Sequence, residues 1–168
     1  MAERIGNEMK DLIAELQATL AHEIPITQHL GITVALYDGE CLILKAPFAQ
    51  NINHKATAFA GSLNALLTLA GWGLLWLVLK ERNLGVQIVI QESVSSYLRP
   101  VTSDFSARCC KPDALHLAHL ETMLRKRGKA RVELTAEIQE RGVVAVSFKG
   151  RYVAFLNEGV NKGRAFEE

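Results

Sequence analysis

The chain divides into one long apolar segment and several segments in which apolar and polar residues alternate. The longest run without a charged residue covers residues 56–79 and holds both tryptophans. Within this run, the first half of residues 59–79 carries Gly61, Ser62, Asn64 and Thr68. The strongly apolar part is therefore roughly a dozen residues long, which is typical of a buried helix and short for a membrane span. Because the flanking segments have the pattern of half-buried strands, we predict that residues 59–79 form a helix wrapped by a sheet, with no membrane insertion.

The segments before this helix predict a second helix and a hairpin. Apolar residues recur at spacings of three and four over residues 1–21, which predicts an amphipathic helix packed on a core. Pro25 forbids continuation of that helix and predicts an extended connection. Residues 32–46 then alternate around an Asp38-Gly39 pair, which is the pattern of a β-hairpin.

Residues 86–98 predict a long strand with one apolar face. That face would carry Val86, Ile88, Ile90, Val94 and Leu98. Glu92 falls on the same face, and two interpretations of its carboxylate stay open. It lies either at a bulge or sheet edge that turns it towards solvent, or in a cleft as a working group.

The last third of the chain predicts a short strand, a helix and two long strands. Residues 105–109 alternate, and Asp113 can cap a helix that runs through Arg127 and ends at Gly128. Residues 130–139 and 143–155 alternate on either side of a turn, which predicts an antiparallel pair. We expect residues 157–168 to be a frayed tail, so that residues 1–156 form a single domain.

Composition narrows the class of protein. With 49% hydrophobic residues, 22% charged residues and a net charge of +1, the chain is typical of a globular protein and gives no sign of nucleic-acid binding. Three cysteines, two of them adjacent, do not suggest a disulfide framework, and no His or Cys spacing suggests a metal site. We therefore expect buried thiols and no metal. The first residues lack an apolar signal segment, and we expect a cytoplasmic protein.

A polar loop, residues 47–55, leads into the central helix. Asn51, Asn53 and His54 lie where the helix start offers unpaired N–H groups and a partial positive charge. Such a place suits a carbonyl group or an anion. In the alternative interpretation, one of the asparagines or Thr57 only caps the helix.

Two short motifs carry a resemblance to a known family. They comprise Asn53, Thr57 and the Gly61-Ser62-Leu63 start of the helix, and the strand end Tyr97-Leu98-Arg99-Pro100-Val101 followed by Asp104. With these motifs the chain resembles the hotdog fold of the thioesterase and dehydratase superfamily, an α+β fold in which an antiparallel sheet wraps around a long central helix. Residues 20–155 are most similar to the thioesterase domain of the YiiD type.

The resemblance implies a hydrolase that acts on acyl groups carried by coenzyme A or acyl carrier protein. In many members a carboxylate on the central helix orients water or attacks the thioester, while N–H groups at the helix start polarise its carbonyl. Thr68 occupies the position of that carboxylate, and no Asp or Glu occurs between Glu40 and Glu81. No cofactor is implied beyond the coenzyme A or phosphopantetheine of the substrate.

The resemblance also implies a homodimer, which could pair further into a tetramer. A long apolar strand such as residues 86–98, left at a sheet edge, would pair with its counterpart in a second subunit.

Candidate site residues come from the helix start and its surroundings. N–H groups near Ala60 and Gly61 would form an oxyanion site. The polar groups that would hold the substrate or a water are Asn53, His54, Thr57, Ser62, Asn64 and Thr68. Glu92 or Asp104 would approach as a base from the same or a partner subunit. We expect Asn53, Thr68 and Glu92 to be catalytic and the remaining residues at the helix start to bind substrate.

Two functions stay open at this point. In the first, the protein hydrolyses acyl thioesters with a rearranged set of polar groups. In the second, it is a non-hydrolytic acyl-binding or regulatory dimer that has kept the pocket and lost the acid. The fold cannot choose between them, because function depends on the site.

Overall fold

The computed structural model describes residues 2–157, with side chains from residue 8 onwards. The elements in chain order are α1 (Ala2–Glu23), α2 (Ile26–His29), β1 (Thr33–Tyr37), β2 (Cys41–Ala46), a 3₁₀ turn (Phe48–Gln50), α3 (Ala60–Glu81), β3 (Val86–Tyr97), β4 (Phe105–Cys110), α4 (Ala114–Arg127), β5 (Lys129–Glu140) and β6 (Val143–Leu156). The six strands form one sheet in the order β1-β2-β4-β5-β6-β3, and all pairs are antiparallel. The sheet wraps around α3, so the predicted α+β hotdog fold is confirmed.

The central helix α3 forms the middle of the core and packs against β2, β3, β4, β5 and β6. A Cβ atom on Gly73 would lie 2.9 Å from Leu42 Cδ2 in β2 and 3.4 Å from Leu16 Cδ2 in α1. The missing side chain therefore allows the sheet and α1 to approach α3 from two sides. The helix is long and apolar enough to cross a membrane, yet 72% of its most apolar window is buried inside the fold. This burial supports the predicted core role.

Strand β3 lies at one edge of the sheet, opposite the edge strand β1, and carries a bulge. Its register with β6 shifts between Ile90 and Glu92. Ile90 is paired with Tyr152, which faces α3, whereas Glu92 is paired with Arg151, which faces away from α3. The prediction of one continuous apolar face from Val86 to Leu98 is therefore wrong, because one extra residue reverses the alternation. Of the two interpretations of Glu92, the structure supports the first: the residue lies at a bulge, and its carboxylate is turned towards solvent.

The connection after α1 also differs from the prediction. The helix ends at Glu23, but Pro25 has φ −57° and ψ −25° and begins the short helix α2 instead of an extended segment. Proline fits this position because its fixed φ suits the first turn of a helix. Of the predicted tail, residues 157–168, the N–H of Asn157 donates to the Gly85 carbonyl at 3.0 Å, and residues 158–168 lie outside the described residues.

The cysteines depart from the expectation of free thiols. Cys41 in β2 and Cys110 in β4 are direct partners in the antiparallel ladder, and their sulfurs form a disulfide. Cys109 is a free, buried thiol on the opposite face of β4, and burial raises its pKa to about 12. The disulfide could not be predicted from the cysteine count, because it depends on the pairing of β2 with β4, which brings together residues far apart in the sequence.

Candidate functional site

A cleft of about 320 Å³ opens beside the first turn of α3. One wall is the loop that precedes the helix, and the other is the end of β3 with the residues that follow it. The lining residues are Asn53, Thr57, Ala58, Ala60, Leu63, Tyr97, Leu98, Arg99, Pro100 and Val101. The backbone N–H of Ala58 donates to the carbonyl of Val101 at 2.8 Å and joins the two walls. The two motifs that carry the family resemblance thus meet in one cleft.

Asn53 organises the loop wall with its side chain. Its Oδ1 accepts from the backbone N–H groups of Lys55 at 2.8 Å and Thr57 at 3.3 Å. Its Nδ2 donates to Thr57 Oγ1 at 2.9 Å and to the Ala58 carbonyl at 3.3 Å. These bonds close a tight loop in which Ala56 has a left-handed φ of 56°. Asn53 therefore positions Thr57 and Ala58 in the cleft.

The start of α3 has no side-chain cap. The residue before the helix is Phe59, and its side chain makes no capping bond. Within residues 2–157, the N–H groups of Ala60, Gly61 and Ser62 have no hydrogen-bond partner, and the first helical bond is donated by Leu63 to the Phe59 carbonyl. Capping by Asn51, Asn53 or Thr57, the alternative interpretation of the loop, is not seen. The helix start therefore offers free donors and the positive end of its dipole.

Aromatic rings lie on both sides of these donors. A Cβ on Gly61 would lie 2.3 Å from Phe59 Cε1, so only glycine leaves room for the ring. Tyr97 Oη donates to the Ala60 carbonyl at 3.2 Å and holds the end of β3 against the helix. Phe59 and Tyr97 are about half exposed, at 55% and 49%. The donors are thus flanked by partly apolar surface that is open to a ligand.

Three predicted site residues lie outside the lining of this cleft, deeper along α3. Ser62 is buried. Asn64 Oδ1 accepts from Ser95 Oγ in β3 at 2.7 Å, and the carbonyl of Thr68 accepts from Tyr152 Oη at 2.8 Å. These contacts fasten α3 to the sheet. His54 is exposed on the loop next to the cleft.

The two carboxylates considered as bases do not line the cleft of their own chain. Glu92 Oε2 lies 2.7 Å from Arg151 Nη1 on the face of the sheet that points away from α3, and Arg151 also pairs with Glu133. Asp104 Oδ1 accepts from the N–H of Phe48 at 2.8 Å and thereby anchors the 3₁₀ turn. Of the catalytic candidates, only Asn53 lies in the cleft.

Arg99 is the one charged residue among the lining residues. Its guanidinium makes no ion pair or hydrogen bond with residues 8–157. Further along the same wall, Thr102 and Ser103 donate to the Glu140 carboxylate, and the Thr102 bond is the main cause of its lowered pKa. The cleft is therefore weakly basic and has no carboxylate in its lining. Sequence reasoning had not singled out Leu63, Leu98 and Arg99 as separate site residues, although the motifs contain them.

A larger depression of about 590 Å³ lies on the outer face of the sheet. Its charged residues include Glu133 and Lys149, which pair with each other at 2.8 Å. Among the described residues, no group of three or more His, Cys, Asp or Glu side chains could hold a metal ion. The cleft beside α3 is the better candidate site, because it combines free backbone donors with an apolar floor.

Solved structures with this architecture define the class of the protein. A protein of unknown function from Chlorobaculum tepidum is 33% identical, with a TM-score of 0.85 over 89% of this chain and 97% of its own. A "putative thioesterase" from Shewanella oneidensis is also 33% identical, with a TM-score of 0.81 over 88% and 99%. A thioesterase from Haemophilus influenzae shares the fold at 18% identity, with a TM-score of 0.67 over 88% and 93%. The chain is thus a hotdog protein of the thioesterase class.

The particular family follows from the sequence match. Residues 13–156 match the family described as "Putative thioesterase (yiiD_Cterm)". The chain belongs to this family, and the expected resemblance is confirmed over almost the whole of the described structure.

Proposed function

We propose that the protein hydrolyses acyl thioesters in the cleft beside the first turn of α3. The observation that carries this proposal is the set of three unpartnered N–H groups, on Ala60, Gly61 and Ser62, at the start of an uncapped helix. Membership of a thioesterase family and the similarity to the Shewanella protein support the reaction type.

The helix start stabilises the charge that develops during hydrolysis. When water attacks the thioester, the carbonyl oxygen becomes negative in the tetrahedral intermediate. The N–H groups of Ala60 and Gly61 donate to this oxygen, and the helix dipole adds a favourable field. Gly61 leaves room for the Phe59 ring beside these donors, because it has no side chain. The intermediate then collapses and its C–S bond breaks. The sulfur of the carrier takes up the proton that the attacking water loses and leaves as a thiol, and the acyl group leaves as a carboxylic acid.

Thr57 is the side chain best placed to orient the attacking water. Its Oγ1 already accepts from Asn53 Nδ2, which leaves the hydroxyl hydrogen free to donate. Asn53 acts through Thr57 by holding the loop and its hydroxyl in place. The expected catalytic roles of Thr68 and Glu92 are not needed for this mechanism, because both residues lie away from the cleft of their own chain.

The substrate carries its acyl group on coenzyme A or on the phosphopantetheine of acyl carrier protein. Arg99 supports this choice, because an unpaired guanidinium beside the cleft attracts a phosphate-bearing carrier.

The functional unit is a homodimer formed along the edge strand β3, where Val94 and Leu98 are 62% and 60% exposed. We place this unit in the cytoplasm and without a cofactor.

Non-hydrolytic acyl binding is the second candidate function. It is favoured by one observation, the absence of any Asp or Glu from the residues that line the cleft. Such a protein would bind acyl-coenzyme A and release no thiol.

The test is a panel of acyl-coenzyme A and acyl-carrier-protein thioesters, with release of free thiol as the measurement. Ala60→Pro removes one N–H from the site but suits the first helical position, since Phe59 before it is already extended at φ −66° and ψ 129°. We expect kcat to fall by about 10²- to 10³-fold with no loss of melting temperature.

Ala114→Pro is the matched control, because it makes the same change at the first position of α4, after Asp113 with an extended ψ of 163°. Its kcat should equal that of the wild type. Asn53→Ala should lower both kcat and melting temperature, whereas Glu92→Gln should retain activity. Loss of thiol release in Glu92→Gln would indicate that the base lies on β3. Binding of acyl-coenzyme A by the wild type without any thiol release would establish the second function.

A further inference from the structure

The floor of the cleft consists of buried apolar side chains. Leu63, Ala58 and Val101 are 4%, 5% and 1% exposed. Behind Leu63, the next turn of α3 carries Leu66 and Leu67, both fully buried. No residue of α3 beyond Leu63 lines the cleft. The cleft is therefore closed at its inner end by packed side chains and does not continue along the helix.

We propose that Leu63 sets the length of the acyl chain and that the substrates are short-chain acyl thioesters. This inference rests on the proposed function, because it takes the thioester carbonyl to lie at Ala60 and Gly61. Leu63 is three residues after Ala60 and lies on the same side of the helix, one turn inward. An acyl chain that points away from the carrier meets the Leu63 side chain after a few methylene groups.

The size of the cleft agrees with a short chain. Sites for small molecules usually enclose about 300 to 1,000 Å³, and this cleft, at about 320 Å³, is near the lower limit. Each methylene group buried on the apolar floor should raise the affinity roughly fourfold. The gain should stop at the chain length that reaches Leu63.

The experiment measures the chain length at which the affinity stops rising, here called the break. The ligands are S-alkyl-coenzyme A thioethers, which cannot be hydrolysed. Calorimetric titration of the full-length protein with ethyl, butyl, hexyl, octyl and decyl compounds gives the affinity for each chain length. We expect the wild-type affinity to rise and then level off within this series. Leu63→Ala removes three carbons and should move the break to chains longer by about two or three carbons. Leu63→Phe should move it to shorter chains.

Leu74→Ala is the matched control, because it makes the same exchange at a buried position of α3 that does not line the cleft. It should lower the melting temperature and leave the break unchanged. If Leu63→Ala does not fold, the shift in Leu63→Phe decides the question.

The inference is overturned if all variants share one break, if the wild-type affinity still rises at decyl, or if no thioether binds. Turnover of acyl thioesters is measured separately with the same variants. Turnover without a break at Leu63 would remove only this inference, and a break that moves with Leu63 in a protein without turnover would remove only the proposed hydrolysis.

Discussion

At the scale of single residues, Tyr37 makes a polar contact outside the cleft that should respond to pH. Its Oη donates to Glu81 Oε1 at 2.5 Å, and Lys111 Nζ donates to Glu81 Oε2 at 3.0 Å. Burial raises the pKa of Tyr37 far above its usual value of 10, and the hydrogen bond to Glu81 and the charge of Glu81 raise it further. These three residues join the end of α3 to the hairpin and to the residue after β4.

The raised pKa predicts a loss of stability in alkaline solution. The folded protein keeps the Tyr37 proton at a pH where the unfolded chain loses it, so the contribution is complete below pH 10 and is lost as the pH rises above 10. Tyr37→Phe should therefore show a flatter decline of the free energy of unfolding between pH 9 and 11.5. Urea titrations at each pH measure it.

Tyr97→Phe is the control for this effect, because Tyr97 is half exposed. Buried Tyr152 also has a raised pKa, so some alkaline decline should remain in every variant. Parallel curves for wild type and Tyr37→Phe would contradict the assignment.

The candidate site could be predicted only in part at this scale. Asn53, Thr57, Ala60 and Gly61 were expected at the helix start, and they lie in or beside the cleft. Thr68 was expected because it occupies the family position of the catalytic carboxylate, and Glu92 because it falls on the apolar face of a predicted strand. Neither kind of information gives the location of a side chain in space. Only the contact between the two walls shows which motif residues share a cleft.

At the scale of elements, the long helices and the strands were predicted to within a few residues, whereas the short helix α2 and the bulge in β3 were not. The alternation of Val86, Ile88 and Ile90 is strong, but a bulge inserts one residue without an apolar signature. The polar run Gln91-Glu92-Ser93 was the only sign of it. The disulfide was missed for a similar reason, since it depends on the register of β2 against β4.

The disulfide predicts that reduction lowers stability. Cys41 and Cys110 are 69 residues apart, and opening a loop of that size should cost roughly 4.4 kcal/mol in the chain-entropy account. Incubation with a reductant, or Cys110→Ser, should lower the melting temperature. Thiol titration of the unfolded protein should give one thiol without reductant and three with it.

Cys109→Ala is the control, because it removes the neighbouring free thiol and keeps the crosslink. Reductant should still lower the melting temperature of this variant. Three reactive thiols in unreduced, unfolded wild type would show that the crosslink does not form.

At the scale of the whole molecule, the alternation of apolar and polar residues predicted a sheet layer and a helix layer, because strands with one apolar face need a helix to cover them. The strand order could not be derived from the pattern alone. β3 follows α3 in the sequence but pairs with β6 at the far end of the sheet. Its other side has no partner strand within the described residues, and it carries exposed apolar residues. This edge supports the expected dimer.

Light scattering at micromolar concentration should give twice the chain mass of 18.5 kDa. The double variant Val89→Lys and Val94→Lys should shift the protein towards the monomer, because it places cations on an edge that must meet its own copy. Val143→Lys, at an exposed apolar position on β6, is the control and should keep the wild-type mass. A monomer mass for the wild type would contradict edge pairing.

The crosslink between Cys41 and Cys110 also determines what stays connected when the protein opens. Every residue that lines the cleft lies between these two cysteines, so both walls and all of α3 belong to one covalent ring. The helices α1 and α4 and the strands β5 and β6 lie outside it. A protease that cut the loop before α3 once would linearise this ring without separating the two halves of the binding site.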